Sequence, residues 1–102
     1  MTPLETLKAA RQLISDPAKW TQGWFAKNER GFTVSEDHPD ACCWCALGAM
    51  RKVSPSWKGY HQTAAILMNG SLLRVSDFND THTHAEVLAL FDAAIAELEG
   101  AT

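Results

Sequence analysis

Two capping boxes, one near each end of the chain, most constrain how this sequence folds. Thr2 and Glu5 are spaced as the N-cap and third residue of a helix, with a proline at the first helical position. Thr83 and Glu86 repeat the box near the other end. Apolar residues follow each box at helical spacing. The sequence therefore predicts a first helix that stops at a downstream Asp-Pro pair, and a last helix that starts after Thr83.

The middle of the chain carries signals for two further helices. One is predicted over about residues 40–53, and the other over about residues 57–68, where Asn69-Gly70 stops it. Residues 71–79 are ambiguous between helix and loop. Residues 32–34 form at most a short extended piece, too short to found a sheet.

One hydrophobic core accommodates all these segments. The chain has 102 residues, of which 46% are hydrophobic and 21% charged, as in a single globular domain. We therefore expect an all-α fold, a single helical domain over residues 1–102. It is a compact bundle of about four helices, with a loop-rich segment near residues 28–40.

Charge distribution and cysteine content narrow the functional classes. The formal net charge is −3, and the segment after Arg74 holds acids but neither lysine nor arginine. An acidic end repels nucleic acid, so nucleic-acid binding is disfavoured. No apolar run reaches the roughly 20 residues of a membrane span, and no secretory signal opens the chain. With three crowded cysteines unsuited to a disulfide framework, we expect a cytoplasmic protein with reduced thiols.

The cysteine run at residues 42–45 permits a chemical and a structural interpretation. Cys42-x-x-Cys45 has the spacing of half a zinc site, but its only candidate second pair, His82-x-His84, fits no common zinc module. A Cys45 nucleophile lacks helper residues in a recognisable arrangement. On a helical wheel the favoured interpretation is packing, because Cys42 and Cys45 share a small apolar face with the alanines that follow. A Cys-dependent enzyme or a zinc protein is thus the least favoured hypothesis.

The same wheel places Trp44 and Gly48 on the opposite face of the predicted helix. A glycine inside a helix costs about 1 kcal/mol relative to alanine, so Gly48 is best explained as leaving room for something against Trp44. The favoured filler is the chain's own segment 20–25, and the alternative is a ligand.

Four motifs resemble those of an uncharacterised family of small bacterial and phage proteins, over about residues 4–98. They are Trp20-Thr21-Gln22-Gly23, Trp44-Cys45-Ala46-Leu47-Gly48-Ala49, Phe78-Asn79-Asp80 and Thr83-His84-Ala85-Glu86-Val87-Leu88-Ala89-Leu90. The family usually has Trp-Asn-Asp where this chain has Phe78, and a single cysteine that matches Cys45. The resemblance implies a bacterial or phage origin and no assigned activity.

Polar residues in these motifs again allow two roles. Asn79 and Asp80 are suited to capping the last helix, and Gln22 to bonding loop backbone, which is the favoured interpretation. The alternative is a polar cluster beside tryptophans that would suit a planar ligand such as a nucleotide. His82 and His84 are expected to be solvent-exposed rather than ligands.

The favoured function is a small non-enzymatic interaction protein of bacterial or phage origin. It would bind a protein partner and inhibit a host factor, for instance a defence protein. The alternative is a small-molecule, nucleotide-like binder or sponge. No cofactor, catalytic residue or metal ligand is assigned. The candidate ligand-binding or partner-binding residues are Trp20, Gln22, Trp24, Trp44, Gly48, Asn79 and Asp80.

Overall fold

A computed structural model describes residues 2–68 and 72–100. In chain order its elements are α1 (Pro3–Leu13), a 3-10 turn (Pro17–Lys19), β1 (Ala26–Lys27), β2 (Thr33–Val34), β3 (Cys43–Trp44), α2 (Ala46–Val53), α3 (Trp57–Met68), α4 (Leu72–Thr81) and α5 (His84–Gly100).

The all-α prediction is wrong, because the chain folds as α+β. Within the described residues, five α-helices accompany a small antiparallel sheet of three strands in the order β2-β1-β3. Ala26 on β1 is opposite Val34 on one side and Trp44 on the other. Each strand has two residues, too few to show an alternating pattern in the sequence. Residues 32–34 were judged too short to found a sheet, but residues 33 and 34 form its edge strand β2.

The strand β3 also corrects the helix predicted over residues 40–53. Cys43 and Trp44, which the prediction placed in this helix, pair with β1 as extended chain, and α2 begins only at Ala46. Cys45 is the N-cap, and its sulfur accepts a hydrogen bond from the Gly48 N–H at 3.2 Å. A helical wheel that starts at residue 40 therefore misplaces everything before Ala46.

Capping boxes predicted the starts of the first and last helices correctly. The Glu5 N–H donates to Thr2 Oγ1 at 3.1 Å, which forms the first capping box. The Glu86 N–H donates to Thr83 Oγ1 at 3.2 Å, which forms the second. Helix α3 spans the predicted residues, whereas its predicted stop at Asn69-Gly70 lies outside the described residues. The ambiguous segment is helical in α4 from Leu72 onward.

Helix α1 lies at the centre of the packing and contacts α2, α3 and α5. The largest fully buried apolar side chains are Leu7, Ile14, Met50, Val75, Val87 and Phe91. Among the described helices, none combines the length and apolar character needed to span a membrane.

Candidate functional site

Asn79 is the polar centre of the site, and it is completely buried. Its Oδ1 accepts hydrogen bonds from Trp20 Nε1 at 2.7 Å and from the Ala46 N–H at 2.9 Å. Its Nδ2 donates to the Thr21 carbonyl at 3.0 Å and to Asp80 Oδ1 at 3.2 Å. These four bonds meet the full donor and acceptor capacity of a side-chain amide. Asn79 thus joins α4 to the segment after the 3-10 turn and to the start of α2.

Gln22 and Gly23 hold the same segment onto the end of α4. Gln22 Nε2 donates to the carbonyl oxygens of Asn79 and His82, each at 3.0 Å. The last carbonyls of a helix lack partners within it, so the Gln22 amide caps them. The Gly23 N–H donates to Asp80 Oδ1 at 2.9 Å, with Gly23 at φ +86°.

These contacts correct the capping roles predicted for Asn79 and Asp80. Both lie inside α4 and bond backward to segment 20–23, whereas Thr83 caps α5. Gln22 does bond backbone, but at the end of a helix rather than in a loop. We call Trp20, Gln22, Gly23, Asn79 and Asp80 the clasp.

Trp44 and Gly48 are both buried, and neither lies on an exposed face of a helix. Trp44 belongs to β3, is only 8% exposed and donates from Nε1 to the Glu36 carbonyl at 3.0 Å. A Cβ placed on Gly48 would clash with the Phe25 carbonyl oxygen and come within 2.8 Å of its carbon. The chain's own segment 20–25 therefore fills the space at Gly48, as the favoured interpretation predicted, although it does not lie there against a helical Trp44.

The three cysteines are free thiols in two environments. Cys45 is buried, and burial raises the pKa of its thiol above the ordinary value. A buried protonated thiol that caps a helix is a poor nucleophile. Cys42 and Cys43 are partly exposed and lie before α2, so the packing role predicted for Cys42 on a helical face is wrong. Partial burial and the neighbouring Cys43 also raise the pKa of Cys42.

The histidines expected in solvent are both partly buried. His84 lies with Nε2 at 2.7 Å from the Ile14 carbonyl oxygen, and its ring packs on Trp20. His82 stacks on Phe78 with the ring centroids 3.7 Å apart. Throughout residues 2–68 and 72–100, no group of three or more His, Cys, Asp or Glu side chains is placed to hold a metal ion.

Two shallow hollows meet above the clasp. One, of about 190 Å³, lies beside Trp24, whose side chain is 49% exposed. It is lined by Gly23, Trp24, Phe25, Cys45, Ser76 and Asp80. We call this hollow and its tryptophan the Trp24 surface. The other hollow, of about 540 Å³, is wide open and is lined by Trp20, Thr21, Gln22, Gly23, Lys27 and Asp80.

The structure brings most of the predicted site residues together but gives them different positions. Trp24 and Asp80 line a surface, whereas Asn79, Trp44 and Gly48 are buried beneath it. Sequence reasoning missed Lys27, which lines the larger hollow, and no motif indicated it.

An ion pair behind Phe25 was also missed. Arg51 Nε lies 2.9 Å from Glu36 Oε1, and its guanidinium lies 4.4 Å from the centre of the Phe25 ring. Glu36 is only 8% exposed although it lies in a polar loop segment, so the sequence around it gave no signal of its burial. Because Phe25 lines the Trp24 surface, this pair lies against one of its walls.

Comparison with known proteins confirms the resemblance to an uncharacterised family. A family model described as "Family of unknown function (DUF6197)" matches residues 1–97. No curated protein and no solved structure matches the chain.

Proposed function

We propose that this chain, which belongs to DUF6197, a family of unknown function, is a non-enzymatic protein that binds a protein partner. Because the family assigns no activity, the proposal rests on the surface of the chain itself. The partner would dock on the Trp24 surface. The observation that carries this proposal is the half-exposed Trp24 beside an apolar hollow.

Tryptophan is enriched among the residues that dominate the energy of protein interfaces. Here both neighbours of Trp24 are held by contacts, because the Gly23 N–H donates to Asp80 and the Arg51 guanidinium packs on the Phe25 ring. An aromatic anchor that is already ordered loses little conformational entropy when a partner covers it. The shallow form of the hollow suits a side chain from a protein better than an enclosed small molecule.

Three of the groups that could carry chemistry are engaged in holding the fold. The Asn79 amide has its four hydrogen bonds inside the protein, and the Cys45 thiol caps α2. His84 is bonded to a backbone carbonyl. These engagements support a binding role over a catalytic one.

Capture experiments with matched variants test the proposal. The wild-type protein and the variants Trp24→Ala and Ile66→Ala are each immobilised and exposed to a cell lysate. Each captured protein is then purified, and its affinity for the wild-type protein and for both variants is measured. Ile66 is the control, because it is an exposed apolar residue, at 39%, on α3 and lines neither hollow. We expect Trp24→Ala to weaken binding by about 30-fold, the effect of a tryptophan hot spot, while Ile66→Ala binds normally.

Thermal unfolding of each variant separates lost binding from lost folding. Because half of the Trp24 side chain is already in solvent, its removal should leave the melting temperature close to that of wild type. Equal affinity of the two variants for every captured protein would refute the proposal.

A finer form of the proposal names the partner as a host defence protein that this chain inhibits in the cytoplasm. Its support is the resemblance to small bacterial and phage proteins, together with three free cysteines, which are typical of a reducing compartment. Co-expression with candidate defence proteins tests it, and inhibition has to depend on Trp24.

The larger hollow favours a second candidate function, the binding of a small planar ligand. Its volume of about 540 Å³ lies in the range of ligand sites, and Lys27 and Asp80 supply charges of both signs. A thermal-shift screen of nucleotides tests it with Lys27→Gln as the matched variant. A flat response of the wild-type protein across the panel removes this candidate.

A further inference from the structure

Two neighbouring thiols converge on one backbone oxygen at the edge of the sheet. Cys42 Sγ lies 3.5 Å, and Cys43 Sγ 3.7 Å, from the Lys27 carbonyl oxygen. Side chains of consecutive residues in regular strands point to opposite faces, but Cys42 precedes β3 and escapes this alternation. Because both sulfurs lie close to the same carbonyl oxygen, they are near each other, and both residues are partly exposed.

Covalent geometry disfavours a disulfide between these two cysteines. Consecutive Cα atoms across a trans peptide lie about 3.8 Å apart, whereas disulfides usually need about 4.4–6.8 Å. An ion bonded to both sulfurs tolerates a wider spacing of the sulfurs than a direct S–S bond does. Zinc is a poor fit too, because two sulfurs complete only half of a tetrahedral site.

If both sulfurs leave the Lys27 carbonyl oxygen to bond another atom, that oxygen still has a hydrogen-bond partner. The Lys27 carbonyl also accepts the Cys42 N–H at 2.9 Å, which is a far stronger bond than those from thiols. An open hollow of about 390 Å³ lies beside Cys42, between the β1–β2 turn and residues 39–42, and gives access from solvent.

We propose that Cys42 and Cys43 form a dithiol site for a soft, thiophilic ion that bonds two sulfurs, the class to which trivalent arsenic belongs. Soft sulfur ligands select such ions over hard cations. With an organoarsenic(III) oxide, two As–S bonds form while the arsenic–oxygen bond and two S–H bonds break. The two protons leave with the oxygen as water, and no electrons are transferred.

Intact-protein mass spectrometry with phenylarsine oxide tests the site. The reduced, folded protein is mixed with one equivalent of the reagent, and free thiols are counted before and after. We expect a single adduct and the loss of two of the three thiols. The adduct should survive an excess of a monothiol and be removed by a dithiol, as a two-sulfur chelate requires.

Single serine variants show which sulfurs are bonded. Cys42→Ser and Cys43→Ser should each lose the monothiol-resistant adduct, while a hydroxyl keeps a donor for the Lys27 carbonyl. Cys45→Ser is the control and should keep the adduct, since serine is a good N-cap and Cys45 is buried. A resistant adduct on either of the first two variants, its loss in Cys45→Ser, or its absence from wild-type protein with three reduced thiols would overturn the proposal.

Discussion

At the scale of single residues, two positions carry the arrangement of the site, and both do so through backbone groups. Gly48 lets the Phe25 carbonyl approach α2, and Asn79 binds the Thr21 carbonyl and the Ala46 N–H. The sequence pointed to both residues, because a glycine inside a helix needs a reason and Asn79 belongs to one of the motifs that carry the family resemblance. For Gly48 the favoured interpretation already named segment 20–25 as the neighbour, but the bond from Asn79 to that segment could not be predicted, since it depends on tertiary packing.

Gly48→Ala should destabilise the protein by about 2 kcal/mol, because the added methyl overlaps the Phe25 carbonyl group and the gain in helix propensity is smaller. Urea denaturation measures the effect. Gly100→Ala is the matched control, because Gly100 is also helical and a Cβ there meets nothing within 4 Å. Equal stability of the two variants would contradict the close approach at Gly48.

Asn79→Ala should cost about 3 kcal/mol, because Trp20 Nε1 and the Ala46 N–H lose their acceptor. Asn79→Asp keeps that acceptor but loses both donations and adds a charge beside Asp80, so it should also be destabilised at neutral pH. Chemical denaturation of both variants is the measurement. An Asn79→Asp protein as stable as wild type would show that the donations do not matter.

At the scale of elements, the two helix starts marked by capping boxes were predictable and the strands were not, for one physical reason. A capping box is a contact between residues three apart, so a short stretch of sequence contains it entirely. The strands depend on pairing β1 with β3, whose partners Ala26 and Trp44 are separated by a turn and a long loop. The apolar pattern at residues 42–50 resembled one helix because a buried strand and a buried helix start look alike over a few residues.

The second capping box makes stability depend on pH. The Thr83 N–H donates to Glu86 Oε1 at 2.9 Å, and this bond holds the pKa of Glu86 below its ordinary value of 4.5. A lowered pKa in the folded state stabilises the fold fully above the unfolded value, and this contribution is lost as pH falls through the folded value. We therefore expect the free energy of unfolding to drop as the medium is acidified below about pH 4.5.

Glu86→Gln isolates this contribution, because glutamine can complete a capping box without titrating. Denaturation at about pH 5 and about pH 3 should show a smaller loss of stability in this variant than in wild type. An unchanged loss would mean that the Glu86 carboxylate adds nothing to the acid sensitivity of the fold.

At the scale of the whole molecule, basic side chains near the start of the chain pair with acidic side chains near its end. The acids after Arg74, which in the sequence looked like a repulsive surface, are partly neutralised by α1. Arg11 meets Asp92 of α5 in a two-bond pair at 2.8 and 3.3 Å, and Lys8 lies 3.0 Å from Glu99. The sequence showed the imbalance of charge but not this pairing, because it requires α1 and α5 to pack together.

A double-mutant cycle on Arg11→Ala and Asp92→Ala should give a coupling of about 0.5–1 kcal/mol, typical of an exposed pair with good geometry. The coupling should shrink in about 1 M salt, which screens exposed charges. The Lys8–Glu99 pair, with both side chains 52% exposed, is the comparison and should couple less. A larger coupling there would reverse this ranking.

The clasp also bears on the order of events when the chain folds. The bonds that join segment 20–23 to the end of α4 connect residues 57 to 60 positions apart, so a long loop has to close before any of them can form. We expect contacts that need such closure to form after the rate-limiting step, so that their removal speeds unfolding more than it slows folding. Stopped-flow measurements on Asn79→Ala should therefore show a faster unfolding limb and a nearly unchanged refolding limb. The clasp would then determine the lifetime of the native state rather than the rate at which the chain folds.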